Sequence, residues 1–529
     1  MRINFLFIAA MFICTATISN AQSSPASRKI DALLQMINYA YVDTANESKL
    51  AEDAIRAILK DLDPHSVYIP ASELKEANEP LVGKFEGVGI QFNIFEDTIM
   101  VTQPIPGGPS ERLGIRAGDR IVQIDTANVA GIKITNNDVF KKLRGDKGTK
   151  VNVKIFRRGE SELLDFEITR DKIPLFSVDA SYMADPKTGY IKISRFADST
   201  VEEFKKALED LKSRGMQALI LDLSGNGGGY LNRAIELADE FLTDNKLIVY
   251  TEGKANPKQE YFSSPIGGFE KGKLVVLIDE SSASASEIVS GAIQDWDRGL
   301  IIGRRSFAKG LVQKPFPLPD GSAVRLTIAR YYTPSGRCIQ KSYEKGDEDY
   351  ELDLSNRFKH GELYSADSIK FNDSLRYETQ QSKRTVYGGG GIMPDIFVPL
   401  DTTKNSKYHS DLIRKTVMFD FALTYTDNNR KELLKKYPDI SKFRSDFKLT
   451  DAMFEDLIAF GEKKGVPRDS AGLAVSSELI KVQLTALLAR DLWNTDAYWQ
   501  VINEINPFYI KAMESLKNDT FERMKIAEK

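Results

Sequence analysis

Ala218-Leu219-Ile220-Leu221-Asp222-Leu223-Ser224-Gly225-Asn226-Gly227-Gly228-Gly229 is the stretch on which the fold turns. Residues 218–223, apolar but for Asp222, form a run of strand length too continuous for a strand with one wet face. Such a strand belongs inside a sheet covered on both sides. The glycine-rich turn after it leads into a helical pattern over 231–242, so the glycines stand at a strand-to-helix junction. Working outward, 189–196 reads as a strand, 201–212 as a helix, 247–250 and 274–278 as strands, and 284–293 as a helix. Apolar strands alternating with helices define an α/β layer.

On the N-terminal side the texture changes to short strands. Gly87-Val88-Gly89-Ile90-Gln91-Phe92 alternates into one, and 98–102, 120–124 and 151–156 make others, with a helix over 135–143. Earlier still, Leu33, Leu34, Ile37 and Tyr41 fall at helical spacing, a second helix covers 49–59, and Asp63-Pro64-His65 reads as a turn. Residues 341–386 are dense in charge and poor in apolar runs, as expected of an inserted surface loop or of a partly disordered segment. From about 402 the chain is helical again, with Leu479, Val482, Leu484, Leu487 and Leu488 in one periodic segment. The divisions expected are a leader over 1–21, a helical region over 25–82, a β domain over 83–171, the α/β core over 172–400 and a helical tail over 401–529.

A chain of 529 residues is too long for one hydrophobic core, and 42% hydrophobic with 28% charged residues is an ordinary soluble balance. A net charge of −3 leaves no basic footprint for nucleic acid and no strong field for a membrane surface. Arg2 precedes an apolar run over 5–18 and the small residues Ser19-Asn20-Ala21, the order of a secretory signal cleaved near Ala21. Export to the periplasm or cell envelope is therefore expected. No later stretch reads as a bilayer span. Loss of the leader removes Cys14 and leaves Cys338 alone, so no internal disulfide is expected and Cys338 reads as buried filler.

Three junctions of the α/β segment carry chemistry: the glycine turn, Ser281-Ser282-Ala283-Ser284-Ala285-Ser286-Glu287, and Arg305-Ser306-Phe307-Ala308-Lys309-Gly310-Leu311-Val312-Gln313. The 3 histidines, His65, His360 and His409, all fall outside this segment, which argues against a Ser–His–Asp triad or a His-ligated metal there. A hydroxyl at a helix N-terminus suits a nucleophile, because free backbone N–H groups and the helix dipole favour the oxyanion that forms beside it. Lysine serves as its base if burial lowers the amine pKa toward ~7–8, a shift that costs about 3–5 kcal/mol from ~10.4. The glycine turn also imitates a dinucleotide fingerprint, but G-x-G-x-x-G counted from Gly225 requires glycine where Tyr230 stands.

In order, Leu221 to Gly229, Ser282 to Glu287, Ser306 to Gln313, Tyr331 to Arg337 and Gly391 to Asp395 resemble the motifs of the carboxyl-terminal processing proteases, also called tail-specific proteases. The resemblance spans roughly residues 41–398. It implies a multidomain α/β and β chain: a helical N-terminal region, a PDZ-like domain, a peptidase core of the crotonase and Clp-protease kind, and a helical tail. Carried over by position, it makes Ser284 the nucleophile, Lys309 the general base and Gln313 its orienter. The N–H groups of Gly229 and Ala285 become the oxyanion donors. It places peptide binding at Gly87, Val88, Gly89 and Ile90, where a turn aims N–H groups at a terminal carboxylate and a strand edge pairs with the peptide. Ser224, Gly227 and Ala308 depart from the pattern, standing where arginine, proline and glycine are usual. The implied partners are proteins with accessible apolar C-terminal tails, with the helical regions as surfaces for a second copy or an adaptor protein. No metal or cofactor is expected. The other classes open to this sequence are an inactive peptide-binding scaffold on the same fold and an acyl-CoA enzyme of related fold.

Overall fold

The computed structural model describes residues 24–344 and 346–526, so the expected leader over 1–21 lies outside the described residues. The chain divides into two compact units, residues 1–62 and 63–529. In the first, Ser24 caps the helix Pro25–Ala40 by accepting from the Ser27 N–H, and Asn46 caps Glu47–Lys60 by accepting from the Lys49 N–H. Ile30, Leu33, Met36 and Tyr39 stand exposed on the first helix.

The second unit holds the expected α/β layer. Its six-stranded sheet runs Val178–Met183, Thr188–Ile193, Ala218–Asp222, Lys273–Ile278, Leu300–Gly303 and Ile396–Phe397, antiparallel at the first pair and parallel thereafter. The apolar run that set the fold is its third strand, with Leu219, Ile220 and Leu221 fully buried. Residues pointing to one face pack under the helices Thr200–Ser213, Leu231–Asp239 and Ala285–Asp295. The opposite face, including Ile220, Val275 and Leu277, is covered by Phe508, Ala512, Phe521 and Ile526 from the C-terminal helices Pro507–Lys517 and Thr520–Arg523. A second sheet, built on the strand Ala323–Tyr332, includes Leu311–Pro317, Leu247–Gly253 and the short strand Val67–Ile69. The chain thus enters the core just after the Asp63-Pro64-His65 turn.

Between these parts sits a small β domain. Its sheet runs Ile90–Phe95, Thr98–Pro104, Arg120–Ile124, Lys150–Phe156 and Leu164–Thr169, with the helix Asn136–Leu143 against it. The expected strand over 87–92 is broken in two. Lys84–Gly87 pairs with Asp171–Pro174, and after Val88 and Gly89 a new strand begins at Ile90. Gly89 makes the break at φ +76°, where a Cβ would lie 3.0 Å from Ile173 Cδ1.

Two expectations fail. Residues 341–344 and 346–386 carry regular structure: Tyr350, Arg357, Leu363 and Val386 are buried, and the segment forms the helices Asp347–Glu351 and Asp353–Lys359 and a strand pair. Most of its charges are exposed, but a few point inward, with Arg357 donating to the carbonyls of Ser306 and Phe307 and Lys341 pairing with Asp353. The helix Ser470–Leu492 is long and apolar enough to cross a membrane by length and composition, contrary to the sequence reading. Here it is the centre of the C-terminal helical cluster, burying Ile480, Leu484 and Leu488 against Leu412, Phe421 and Leu457.

Candidate active site

Ser284 occupies the N-cap of the helix Ala285–Asp295, every residue of which is buried. Its backbone is at φ 54°, ψ −110°, a conformation costing roughly 1–3 kcal/mol for a residue with a Cβ. Neighbouring groups hold it there. The Ser284 N–H donates to Glu287 Oε2 at 2.8 Å, and Ala283 N–H and Ser286 Oγ both donate to Asn226 O, at 3.0 and 2.9 Å.

Glu287 ties Ser284 to Lys309. Its fully buried carboxylate also accepts from Ser306 Oγ at 2.5 Å, Ala308 N–H at 2.8 Å and Lys309 N–H at 2.9 Å. Burial pushes its pKa up, and these donors oppose the shift. Tyr331 makes a second tie, its hydroxyl lying 2.6 Å from Lys309 O and 3.1 Å from Ser284 O. Neither role was readable in the sequence, although both residues stand inside quoted motifs. Ala308 sits at φ 77°, so the methyl that replaces the usual glycine lies on a left-handed backbone.

Lys309 is partly buried, and its pKa is pushed below the usual lysine range, first by desolvation and then by the Arg325 guanidinium; Glu287 and Asp63 oppose this. His65 was read as remote from the core, yet the Asp63 turn brings it beside this wall. Its Nε2 lies 2.8 Å from the Tyr350 hydroxyl, and burial followed by the Lys309 charge lowers its pKa to about 4. Asp63 accepts from Ser66 Oγ at 2.6 Å and from Thr327 Oγ1 at 2.9 Å. Gln313 reaches the same turn: its amide donates to Thr327 Oγ1 at 3.3 Å rather than to the lysine. Among the described residues no hydrogen bond joins the Ser284 hydroxyl to the Lys309 amine.

Ser284, Lys309 and Gln313 line one cleft of about 640 Å³ with Gly227, Gly228 and Gly229. The glycine loop packs closely on Ser284: a Cβ on Gly228 would come within 2.9 Å of Ser284 Cβ, and one on Gly229 within 2.1 Å of Phe196 O. Asn226 shapes the loop by donating from Nδ2 to Ile193 O and accepting the Gly228 N–H, both at 2.9 Å. The N–H groups of Gly229 and Ala285 have no partner among the described residues. They are free donors beside the serine.

A second groove, of about 230 Å³, lies in the β domain between Gly87-Val88-Gly89-Ile90 and the helix Asn136–Leu143. Phe92, Phe140 and Leu143 make its wall apolar. At its rim the Arg144 guanidinium lies over the Phe85 and Phe140 rings and donates to Glu79 at 2.8 Å. The described residues contain no cluster of metal-ligating side chains.

Comparison with known proteins agrees with this layout. Residues 187–350 match the model of peptidase family S41, residues 100–157 that of the PDZ domain, and residues 408–494 a family of unknown function. A carboxy-terminal-processing protease of Bartonella bacilliformis is 34% identical over 409 residues, 75% of this chain and 91% of that protein. A carboxy-terminal processing protease of Bacillus subtilis is 33% identical over 363 residues, 68% of this chain and 73% of that one. Among solved structures, the photosystem II D1 C-terminal processing protease aligns over 71% of this chain and 94% of its own, at 26% identity and a TM-score of 0.36. With its PDZ domain, its α/β core and these relatives, the chain belongs to peptidase family S41, the carboxy-terminal processing serine proteases.

Proposed function

We propose that this protein cleaves protein substrates near their C-termini by a Ser–Lys mechanism, with Ser284 as nucleophile and Lys309 as base. The observation that carries the assignment is the double tie between the two residues: Glu287 binds both backbone N–H groups and Tyr331 reaches both carbonyls. Neutral Lys309 Nζ takes the Ser284 proton as Oγ attacks the scissile carbonyl. The oxyanion accepts the N–H groups of Gly229 and Ala285. The ammonium then returns its proton to the departing amine, leaving an acyl-serine. Water enters, Lys309 takes a proton from it, and the serine is regenerated. Gln313 orients the lysine once a bound substrate draws its amide from Thr327.

The β-domain groove receives the substrate tail, its apolar wall taking the last side chain and the N–H groups of Val88 and Gly89 its carboxylate. The exposed apolar face of Pro25–Ala40 supports self-association, the helical cluster offers a surface for an adaptor, and the leader-like order of residues 1–21 supports action in the cell envelope.

Ser284→Ala and Lys309→Ala are each expected to abolish turnover without lowering Tm, and the double variant to be no worse than either alone. A serine-reactive phosphonate should label the native chain and not Ser284→Ala. Turnover retained by Ser284→Ala but lost in Ser282→Ala or Ser286→Ala would shift the nucleophile. Loss of activity to EDTA with recovery on adding zinc would replace the mechanism.

A further inference from the structure

Lys192 is a buried lysine that this mechanism does not use. It stands in the strand Thr188–Ile193 with its side chain 6% exposed. Its ammonium lies 2.9 Å from Ser224 O, 3.3 Å from Ser224 Oγ and 3.3 Å from Asp222 Oδ2. Two hydrogen bonds from the ammonium thus serve Ser224 at the first turn of the glycine loop, and its charge pairs with Asp222. Its remaining side faces the Trp499 ring, 4.5 Å from the centroid, a cation–π contact from the C-terminal helix Thr495–Ile502. Asp222, fully buried, closes the knot: Oδ1 accepts the Ser224 N–H at 2.8 Å and hydroxyl at 2.5 Å, and Oδ2 accepts the Tyr190 hydroxyl at 2.6 Å. The end of the same strand guides the rest of the loop. Ile193 O holds Asn226, the Phe196 N–H donates to Gly228 O at 3.0 Å, and Phe196 O accepts the Tyr230 N–H at 2.9 Å.

We propose that Lys192 is a positioning residue for the oxyanion loop, kept in place by Trp499, so that the C-terminal helical region reaches the chemistry through one ring. A buried ammonium is costly unless its partners need it. Here they do. Without it, the Ser224 carbonyl and the Asp222 carboxylate lose donors at the root of the loop that aims Gly229. A donor displaced by a fraction of an ångström stabilises the oxyanion less, while the cleft walls still bind the ground-state peptide. The inference rests on the reading of Gly229 as an oxyanion donor.

The test measures kcat, KM and inhibition by a peptide boronic acid, whose tetrahedral adduct mimics the intermediate, on the whole protein. Lys192→Met should lower kcat roughly 10- to 100-fold with KM within about twofold, and weaken the boronate by a similar factor, less than a lost direct donor costs. Lys192→Arg keeps a charged donor and should recover to within about threefold of the native rate, with Trp499→Leu between the two. Native kcat in Lys192→Met, a change confined to KM, or no recovery in Lys192→Arg would overturn the role. If Lys192→Met does not fold, native boronate affinity in Trp499→Leu overturns it instead. Ser284→Ala, assayed alongside, separates the two ideas. Turnover in that variant removes the mechanism itself, whereas an inert Ser284→Ala beside a fully active Lys192→Met removes only the positioning role.

Discussion

Lys309 shows what the site asks of a single residue. Burial and Arg325 hold its pKa below the ordinary 10.5, so a larger share of the amine is neutral at working pH. The rising limb of the kcat/KM profile against pH should report this group. Removing a positive neighbour raises the pKa, so Arg325→Met should move that limb to higher pH, and an unmoved limb would show that Arg325 does not act on the base. The same shift affects stability. A depressed lysine pKa penalises the folded state as pH falls from the unfolded value through the folded one. Lys309→Met should therefore raise Tm at neutral pH while abolishing activity, the gain shrinking as pH approaches 10.5. A lower Tm at neutral pH would mean that the lysine's contacts outweigh its desolvation. At this scale the sequence was legible in placing Ser284 and Lys309 at the same cleft, because each sits in a local motif. It was silent on Glu287, Tyr331 and His65, whose partners lie far along the chain, and a pattern of neighbours carries no trace of such contacts.

At the scale of the element, the helix Ala285–Asp295 is held at both ends by segments that had only looked like motifs. Its start is fixed by Glu287 and Asn226, as described. At its end Asp295 pairs with the fully buried Arg337 at 2.7 Å and accepts the Ser335 N–H at 2.9 Å and the Thr333 hydroxyl. Gln294 bonds Asp395, which also accepts the Ile301 N–H at 2.8 Å and pairs with Arg384. The Tyr331-to-Arg337 and Gly391-to-Asp395 segments thus clamp the helix that Ser284 caps. Asp295→Ala leaves Arg337 buried without its counter-charge, a cost of about 3–5 kcal/mol. Thermal unfolding should show a large fall in Tm and loss of activity together, in contrast to Ser284→Ala. A Tm within a degree or two of the native value would mean that Arg337 finds another partner. The strands were legible because apolar run length is a local signal. The segment 341–386 was not, because a few of its charged residues, Lys341 and Arg357 among them, turn inward to carbonyls and carboxylates that only the folded chain provides. Ser470–Leu492 was missed in the other direction: its apolar residues serve a helical cluster, and hydropathy does not distinguish that from a bilayer.

At the scale of the molecule, the proposed function gives the β domain the holding of a tail and the core the cutting of a chain. A tail held in the groove raises the local concentration of the scissile bond at Ser284 without new contacts there. Matched substrates ending in a free acid or an amide should differ sharply in turnover, because the amide offers no negative charge to the Val88-Gly89 turn. Equal rates would leave the groove without a part in selection.

The sheet's second cover has a consequence in time. Ile220, Val275 and Leu277 are shielded by Phe508, Ala512 and Phe521, which follow every strand of that sheet in the chain. A chain made and delivered from its N-terminus presents the serine and the lysine long before that shield arrives. Until it does, one face of the catalytic layer is bare and the core is incomplete. Closure of the layer that carries Ser284 and Lys309 therefore waits on the last helices of the chain, whatever the order in which its strands form.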